Sequence, residues 1–257
     1  MHSPLATSAR SYLLSFDGIG DQILDGHLQS WKTLKRNTKR EIFKTFLDHA
    51  KNRRSMPNTI GDIEKLSPVL FDFEPDKVAN AYANHVELLQ EIFRLKIRTP
   101  SPIDVSNSRS HWVIYAKSIL SSANFLRTFS GAAAFHEFVE SFYCNAHSRL
   151  ALPLLLKEEI VGFGFALACD FLKESGYSGF VKPDTHLNDI CRAAGLTSST
   201  SDFGVFKDVV AYCEKCDLVP YEFDKLIWLV GSGNFYLNKV FASTNKKEFI
   251  AHHMKSS

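Results

Sequence analysis

The sequence has few features of membrane or secreted proteins. Its longest apolar stretches, such as residues 152–156, are far shorter than the roughly 20 residues that a membrane-spanning helix needs. The first ten residues contain no basic start followed by an apolar run, so we expect no secretory signal. Together these absences predict a protein that acts in the cytoplasm and not at a membrane.

Cysteines are also too few and too scattered for a disulfide framework. The chain has five, an odd number, and they are spread over more than 70 residues. This pattern is typical of reduced thiols. Cys213 and Cys216 form a CxxC pair, but an iron–sulfur cluster needs four ligands and no cysteine follows Cys216. We therefore predict no metal site and no cofactor.

No long segment alternates between apolar and polar residues, as a half-buried strand would. Apolar residues instead recur at intervals of three and four in most of the chain, for example over residues 42–50, 78–93, 115–126 and 206–213. That spacing places them on one face of a helix. The sequence therefore predicts an all-α fold.

Two further segments bear on the organisation of the chain. Residues 99–110 are rich in Pro, Ser and Asn and are the best candidate for a connection between two helical lobes of a single 257-residue unit. The tail after Asn245 is polar, so we expect it to fray.

Charge is nearly balanced overall, at +2, but one segment is strongly basic. Residues 32–54 contain nine Lys and Arg against only Glu41 and Asp48. Such a patch can bind phosphates, and it can equally be a solvated helix face. The sequence leaves both interpretations open.

The most informative segment is 155–195. A helix is predicted to end near Glu159 and a second to run from Phe165 to about Glu174, with Gly162, Phe163 and Gly164 between them. Two glycines around one apolar residue allow a tight reversal, with Phe163 inserted between the helices. The amides at the start of the second helix would then be open to an anion.

The sequence Lys182-Pro183-Asp184-Thr185-His186 follows. Pro183 disfavours a helix before Asp184, and Asp is a favourable N-cap residue. A short helix is therefore predicted from Thr185 to Ala194, closed by Gly195. Asp184 can be a simple cap or a catalytic carboxylate.

The hairpin followed by this Pro-Asp loop resembles the helix-hairpin-helix DNA glycosylases, a superfamily that includes endonuclease III, alkyl-base glycosylases and 8-oxoguanine glycosylases. The resemblance covers about forty residues and includes both the hairpin and the Pro-Asp loop. The resemblance implies two helical lobes with a central cleft. It also implies that Gly162, Phe163, Gly164 and Ala166 belong to a hairpin that grips the backbone of double-stranded DNA.

The resemblance further implies that a flipped nucleotide enters the cleft and that Asp184 acts on its sugar. Ala166 occupies the position of the Schiff-base lysine of lyase members, eighteen residues before Asp184. This departure predicts a monofunctional hydrolase that leaves an abasic site. We also expect the protein to act as a monomer. Lys182 and Lys173 are near enough in sequence to replace that lysine, and His186 is a candidate neighbour of the site.

The sequence identifies the residues that would hold the base less clearly. Trp112, Tyr115, Trp228 and Tyr236 are candidates because a flipped base is held between aromatic groups. Aromatic side chains are more often core residues. The sequence does not identify the base that is removed. It also leaves open whether the protein repairs DNA or processes modified foreign DNA.

Two alternatives remain beside the glycosylase. A non-catalytic protein could use the hairpin only to bind DNA, in which case binding would survive the loss of Asp184. A helical protein-interaction module would have no salt-dependent affinity for DNA.

Overall fold

A computed structural model describes residues 3–30, 32, 34–53 and 56–256 of the chain. Within these residues the helices are α1 Pro4–Leu14, α2 Asp21–Gln29, α3 Lys39–Lys51, α4 Met56–Ile60, α5 Pro75–Ala81, α6 His85–Arg94, α7 His111–Leu126, α8 Ala132–Ser141, α9 Ala146–Glu159, α10 Phe165–Glu174, α11 Thr185–Ala193, α12 Asp202–Cys216, α13 Pro220–Ser232 and α14 Lys246–Ser256. A short 3₁₀ helix spans Ile63–Leu66, and the strands β1 Asn234–Phe235 and β2 Val240–Phe241 pair antiparallel. The all-α prediction is confirmed.

The chain divides into two compact units. Unit 1 contains residues 1–34 and 172–257, and unit 2 contains residues 35–171. The segment 99–110, for which the sequence predicts a connection between lobes, lies inside unit 2, where it joins α6 to α7. Those two helices pack against each other, so its Pro and Ser residues mark a loop within one core.

Unit 2 is built around α7. This helix contacts α3, α4, α5, α6 and α9, and it is apolar on most of its surface. The Ser110 side chain caps it by accepting a hydrogen bond from the Val113 amide. A helix surrounded by others in this way forms the centre of a core.

Unit 1 is built around α13, which contacts α1, α2, α11, α12 and α14. Pro220 stands at its first position, where a missing N–H costs nothing. Its buried residues include Tyr221, Ile227 and Leu229. Since α11 begins directly after Asp184, the contact with α13 positions the predicted catalytic loop.

Two sequence-based expectations differ from the structure. The apolar pattern over residues 78–93 is split into α5 and α6, because Asn84 caps a new helix through the amides of Val86 and Glu87. The tail does not fray within the described residues. It forms α14, with Phe249 fully buried and the His253 Nδ1 atom 3.0 Å from the Ser8 hydroxyl oxygen.

None of the described helices combines the length and the apolar character that a membrane span requires.

Candidate active site

The hairpin between α9 and α10 lies in unit 2 and turns at Gly162. This residue has a φ of +86°, in the left-handed region that favours glycine. A Cβ there would lie 2.8 Å from the Ser118 hydroxyl oxygen and 3.1 Å from a methyl group of Ile114. Both the backbone conformation and the close approach of α7 therefore require glycine at this position.

Two serines of α7 hold the turn in place. The Ser118 hydroxyl donates to the Val161 carbonyl at 2.5 Å, and the Ser121 hydroxyl accepts from the Val161 amide at 3.0 Å. Val161 follows the end of α9, so its backbone groups have no helical partner. The two serines satisfy these groups and fix the direction of the turn.

Phe163 anchors the hairpin from the other side. Its side chain is 5% exposed and packs against Phe46 at a ring-centroid distance of 5.7 Å. Gly164, in contrast, is open, because a Cβ there would meet no atom within 4 Å. The backbone at Gly164, directly before α10, is therefore exposed.

Asp184 lies in unit 1 and caps α11. Its backbone is extended, with φ −88° and ψ −177°, and its Oδ1 atom accepts from the His186 amide at 2.8 Å and the Leu187 amide at 3.0 Å. Its Oδ2 atom makes no hydrogen bond to any residue that the structure describes. One oxygen therefore fixes the half-buried carboxylate and the other remains available to a substrate or a water molecule.

A buried ion pair supports the chain just before Asp184. The Lys182 amide donates to the Asp224 carboxylate at 3.3 Å, and the Lys173 ammonium donates to the same carboxylate at 2.5 Å. Lys173 and Asp224 are 4% and 2% exposed. A buried amine bound to a carboxylate is not available to attack a sugar. Lys182 therefore remains the nearer candidate for lyase chemistry.

His186 packs against the end of α13. A Cβ on Gly231 would lie 2.7 Å from the His186 Cβ, so only glycine leaves room for this side chain. Burial lowers the pKa of His186 below its usual 6.5, although the nearby Asp184 charge opposes the shift. The imidazole is therefore neutral at pH 7, and its Nδ1 atom is buried without a hydrogen-bond partner among the described residues.

The same face of α13 carries Trp228. Asp224, Trp228 and Gly231 are spaced at i, i+4 and i+7, which places them on one side of the helix. Asp224 contacts Lys182 and Gly231 contacts His186, and these two residues flank Asp184. The half-buried Trp228 therefore lies on the side of α13 that contacts the residues flanking Asp184.

Comparison with solved structures places this arrangement in a known fold. The chain is similar to the crystal structure of Methanocaldococcus jannaschii 8-oxoguanine glycosylase/lyase in complex with a 15mer DNA containing 8-oxoguanine. The TM-score is 0.51 at 18% sequence identity, and the match covers 93% of this chain and 100% of the other. No protein-family model and no curated protein matches the chain.

The chain shares the overall fold of this glycosylase/lyase.

Within this glycosylase fold the four predicted pocket aromatics separate into two groups. Trp228 and Tyr236 lie together in unit 1, with ring centroids 6.0 Å apart. Trp112 and Tyr115 are 2% and 0% exposed in the core of unit 2. The surrounding helices cover both rings of the second pair, which are therefore core side chains in this structure.

Acidic side chains pair with most of the basic residues in the segment 32–54. Its ion pairs are Lys32–Glu222, Lys35–Glu140, Lys39–Asp76, Arg40–Glu74, Lys44–Glu64 and Lys51–Asp48. Arg54 lies outside the described residues. Arg53 has no ion pair among the described residues, and its Nη1 atom would lie 3.8 Å from a Cβ on Gly162. One unpaired guanidinium thus stands beside the hairpin.

Two cysteines of unit 1 lie in the core. Cys191 and Cys213 are fully buried and free of disulfides. Burial raises the pKa of both thiols well above their ordinary value, so they are protonated at neutral pH.

Proposed function

We propose that the protein is a DNA N-glycosylase in which Asp184 promotes hydrolysis of the bond between a flipped base and its deoxyribose. The observation that supports this role most directly is the Asp184 carboxylate. It is held by two α11 amides through Oδ1 and offers an Oδ2 atom that makes no hydrogen bond to any described residue. It also follows a glycine hairpin in a chain with the glycosylase fold.

The Asp184 carboxylate can assist cleavage of the bond between base and sugar in two ways. As the bond between base and sugar breaks, the leaving base takes the electron pair and C1′ gains positive charge. A fixed carboxylate stabilises that charge because its position is set before the reaction. Its free oxygen can also accept a proton from the attacking water, which adds its hydroxyl to C1′. That proton then passes to the departed base, so the carboxylate is regenerated and the products are a neutral free base and an abasic site.

DNA recognition would come from the hairpin of unit 2. The N-terminus of α10 favours an anion, and the open Gly164 lets a phosphate approach it. Arg53 adds a full positive charge beside Gly162. We assign this surface to the phosphate backbone of double-stranded DNA, bound by one copy of the protein in the cytoplasm.

The proposed enzyme is a hydrolase without lyase activity. Ala166 offers only a methyl group at the position that the resemblance assigns to a Schiff-base lysine. Lys173 is bound to Asp224. Borohydride trapping on DNA tests this part, since a covalent adduct that disappears in Lys182→Met would establish Lys182 as a lyase nucleophile.

The central test is Asp184→Asn. Asparagine is as good an N-cap as aspartate, so the variant removes the charge and keeps the cap. We expect base release in single-turnover assays to fall roughly 100- to 1000-fold, the usual cost of losing one electrostatic stabiliser. The substrates are duplexes with deaminated, oxidised, alkylated or hypermodified bases, scored for free base and alkali-labile sites.

Asp189→Asn is the matched control, because Asp189 is an exposed acid of the same helix that pairs with Lys246. It should retain the activity of the wild type. Equal DNA binding by wild type and Asp184→Asn, with no base released by either, would favour the non-catalytic DNA-binding protein. Absence of salt-dependent DNA affinity would favour the interaction module.

A further inference from the structure

Lys225 of α13 is a buried cation whose hydrogen bonds are incomplete. Its side chain is 5% exposed, and its ammonium lies 3.0 Å from the Tyr236 hydroxyl oxygen. The nearest carboxylate oxygen, on Glu174, is 3.7 Å away and beyond hydrogen-bond distance. An ammonium group has three donors, so two of them lack an acceptor among the described residues. Burying a charged group with unpaired donors costs free energy unless a ligand supplies the missing acceptors.

Aromatic rings surround the same ammonium group. Its nitrogen lies 5.3 Å from the ring centroid of Tyr236, 5.8 Å from that of Trp228 and 5.9 Å from that of Tyr221. Tyr221 is fully buried, whereas Trp228 is half-buried and Tyr236 is 36% exposed. The group therefore combines a cation with two aromatic side chains that a planar ligand can reach.

This cluster adjoins the predicted catalytic loop within unit 1. Trp228 lies on the α13 face whose Asp224 and Gly231 contact the residues on either side of Asp184. Lys225 precedes Trp228 by one helical turn. A base whose sugar faces Asp184 would thus have Trp228 beside it and the Lys225 ammonium at its edge.

Building on the proposed function, we propose that Lys225 is the residue that selects the base, and that the ligand class is a nucleobase with a ring carbonyl. The two spare N–H groups would donate to the carbonyl oxygen, while Trp228 packs against the ring and Tyr236 orients the ammonium. A base with an amino group in place of this carbonyl presents a second donor, so the N–H groups of Lys225 would lack an acceptor.

The main experiment compares Lys225→Met with the wild type on two substrate classes. Duplexes with uracil, hypoxanthine or 8-oxoguanine present ring carbonyls, and duplexes with 3-methyladenine do not. The wild type should prefer the carbonyl class, and Lys225→Met should lower that preference roughly 10- to 100-fold in single-turnover rate. Lys215→Met, an exposed lysine of α12, makes the same charge change and should leave the preference intact.

A second measurement does not depend on catalysis or on the folding of that variant. Free uracil and hypoxanthine should quench the tryptophan fluorescence of the wild type, and adenine should not. Tyr236→Phe should weaken the quenching, because it removes the one fixed acceptor of the ammonium.

The outcomes separate the two proposals. If the wild type releases no base from any duplex, the proposed function fails, and the quenching experiment alone decides whether the cluster binds carbonyl bases. If the wild type releases bases without preference for carbonyls, or if Lys225→Met slows both classes equally, the function stands and the role of Lys225 is overturned. Quenching by adenine as strong as that by uracil would overturn it as well.

Discussion

At Asp184 one carboxylate has a structural task, and the proposed function gives it a chemical one. Oδ1 satisfies two amides of α11, and this capping contributes about 1 kcal/mol to stability in typical helices. Oδ2 has no such task. The division explains why a capping pattern in the sequence cannot by itself distinguish a cap from a catalytic group, and why Asp184→Asn separates the two.

Gly231→Ala is a residue-scale prediction. A methyl group there would collide with the His186 side chain, so the start of α11 must shift. We expect a loss of about 1–3 kcal/mol of unfolding free energy, as for other overpacked sites, and a marked fall in base release. Urea denaturation and single-turnover assays measure the two effects.

Gly26→Ala provides the control for this substitution. Gly26 also lies in a helix, α2, but a Cβ there meets nothing within 4 Å. Alanine should therefore stabilise the protein by roughly 0.5–1 kcal/mol and leave activity unchanged. A similar loss of stability in both variants would show that the contact with His186 is not the cause.

At the scale of elements, helix α3 shows how little a basic sequence segment says about binding. Three of its basic residues form ion pairs. Lys39 pairs with Asp76 of α5, Arg40 with Glu74 directly before α5, and Lys44 with Glu64 of the 3₁₀ helix. Surface ion pairs of this kind contribute at most about 1 kcal/mol each, but they cancel charge locally. Only a cation without such a partner adds to the affinity for phosphate.

Arg53→Gln should therefore weaken DNA binding, whereas Arg40→Gln should have a smaller effect, because Arg40 is already bound to Glu74. Removing one phosphate contact is expected to reduce the slope of log affinity against log salt by about 0.9. Fluorescence anisotropy over a salt series measures the slope. Equal slopes for Arg53→Gln and the wild type would place Arg53 outside the DNA contact.

At the scale of the whole molecule, burial of histidines links stability to pH. Burial is the main cause that lowers the pKa of His27, His85, His186 and His253 below the usual 6.5. In the unfolded chain these groups return to about 6.5 and bind protons more readily than in the folded state. Stability is therefore complete above pH 6.5 and is lost as the pH falls through that value.

We expect the free energy of unfolding to decrease between pH 7.5 and pH 5.5. His27 is fully buried, so His27→Phe should reduce the pH dependence in this range. Urea denaturation at several pH values measures both. A free energy that stays constant or rises on acidification would contradict the prediction.

Local structure was determined largely by the sequence itself. The ends of α9, α10 and α11 and the cap at Asp184 lie within one residue of their predicted positions. Helix capping, glycine turns and Pro effects all act between residues close in the chain, so a single sequence contains the information. The likeness of fold to the 8-oxoguanine glycosylase/lyase agrees with the family resemblance that these motifs implied.

The tertiary structure alone decided which of these residues have partners and which are open. Lys225 and Trp112 are both ordinary members of apolar helices in the sequence, yet one is a cation with spare donors and the other is core. Their environments depend on residues such as Glu174, which is 51 positions from Lys225. Burial and ion pairing are set by how helices pack, and helical periodicity contains no information about which helices will meet.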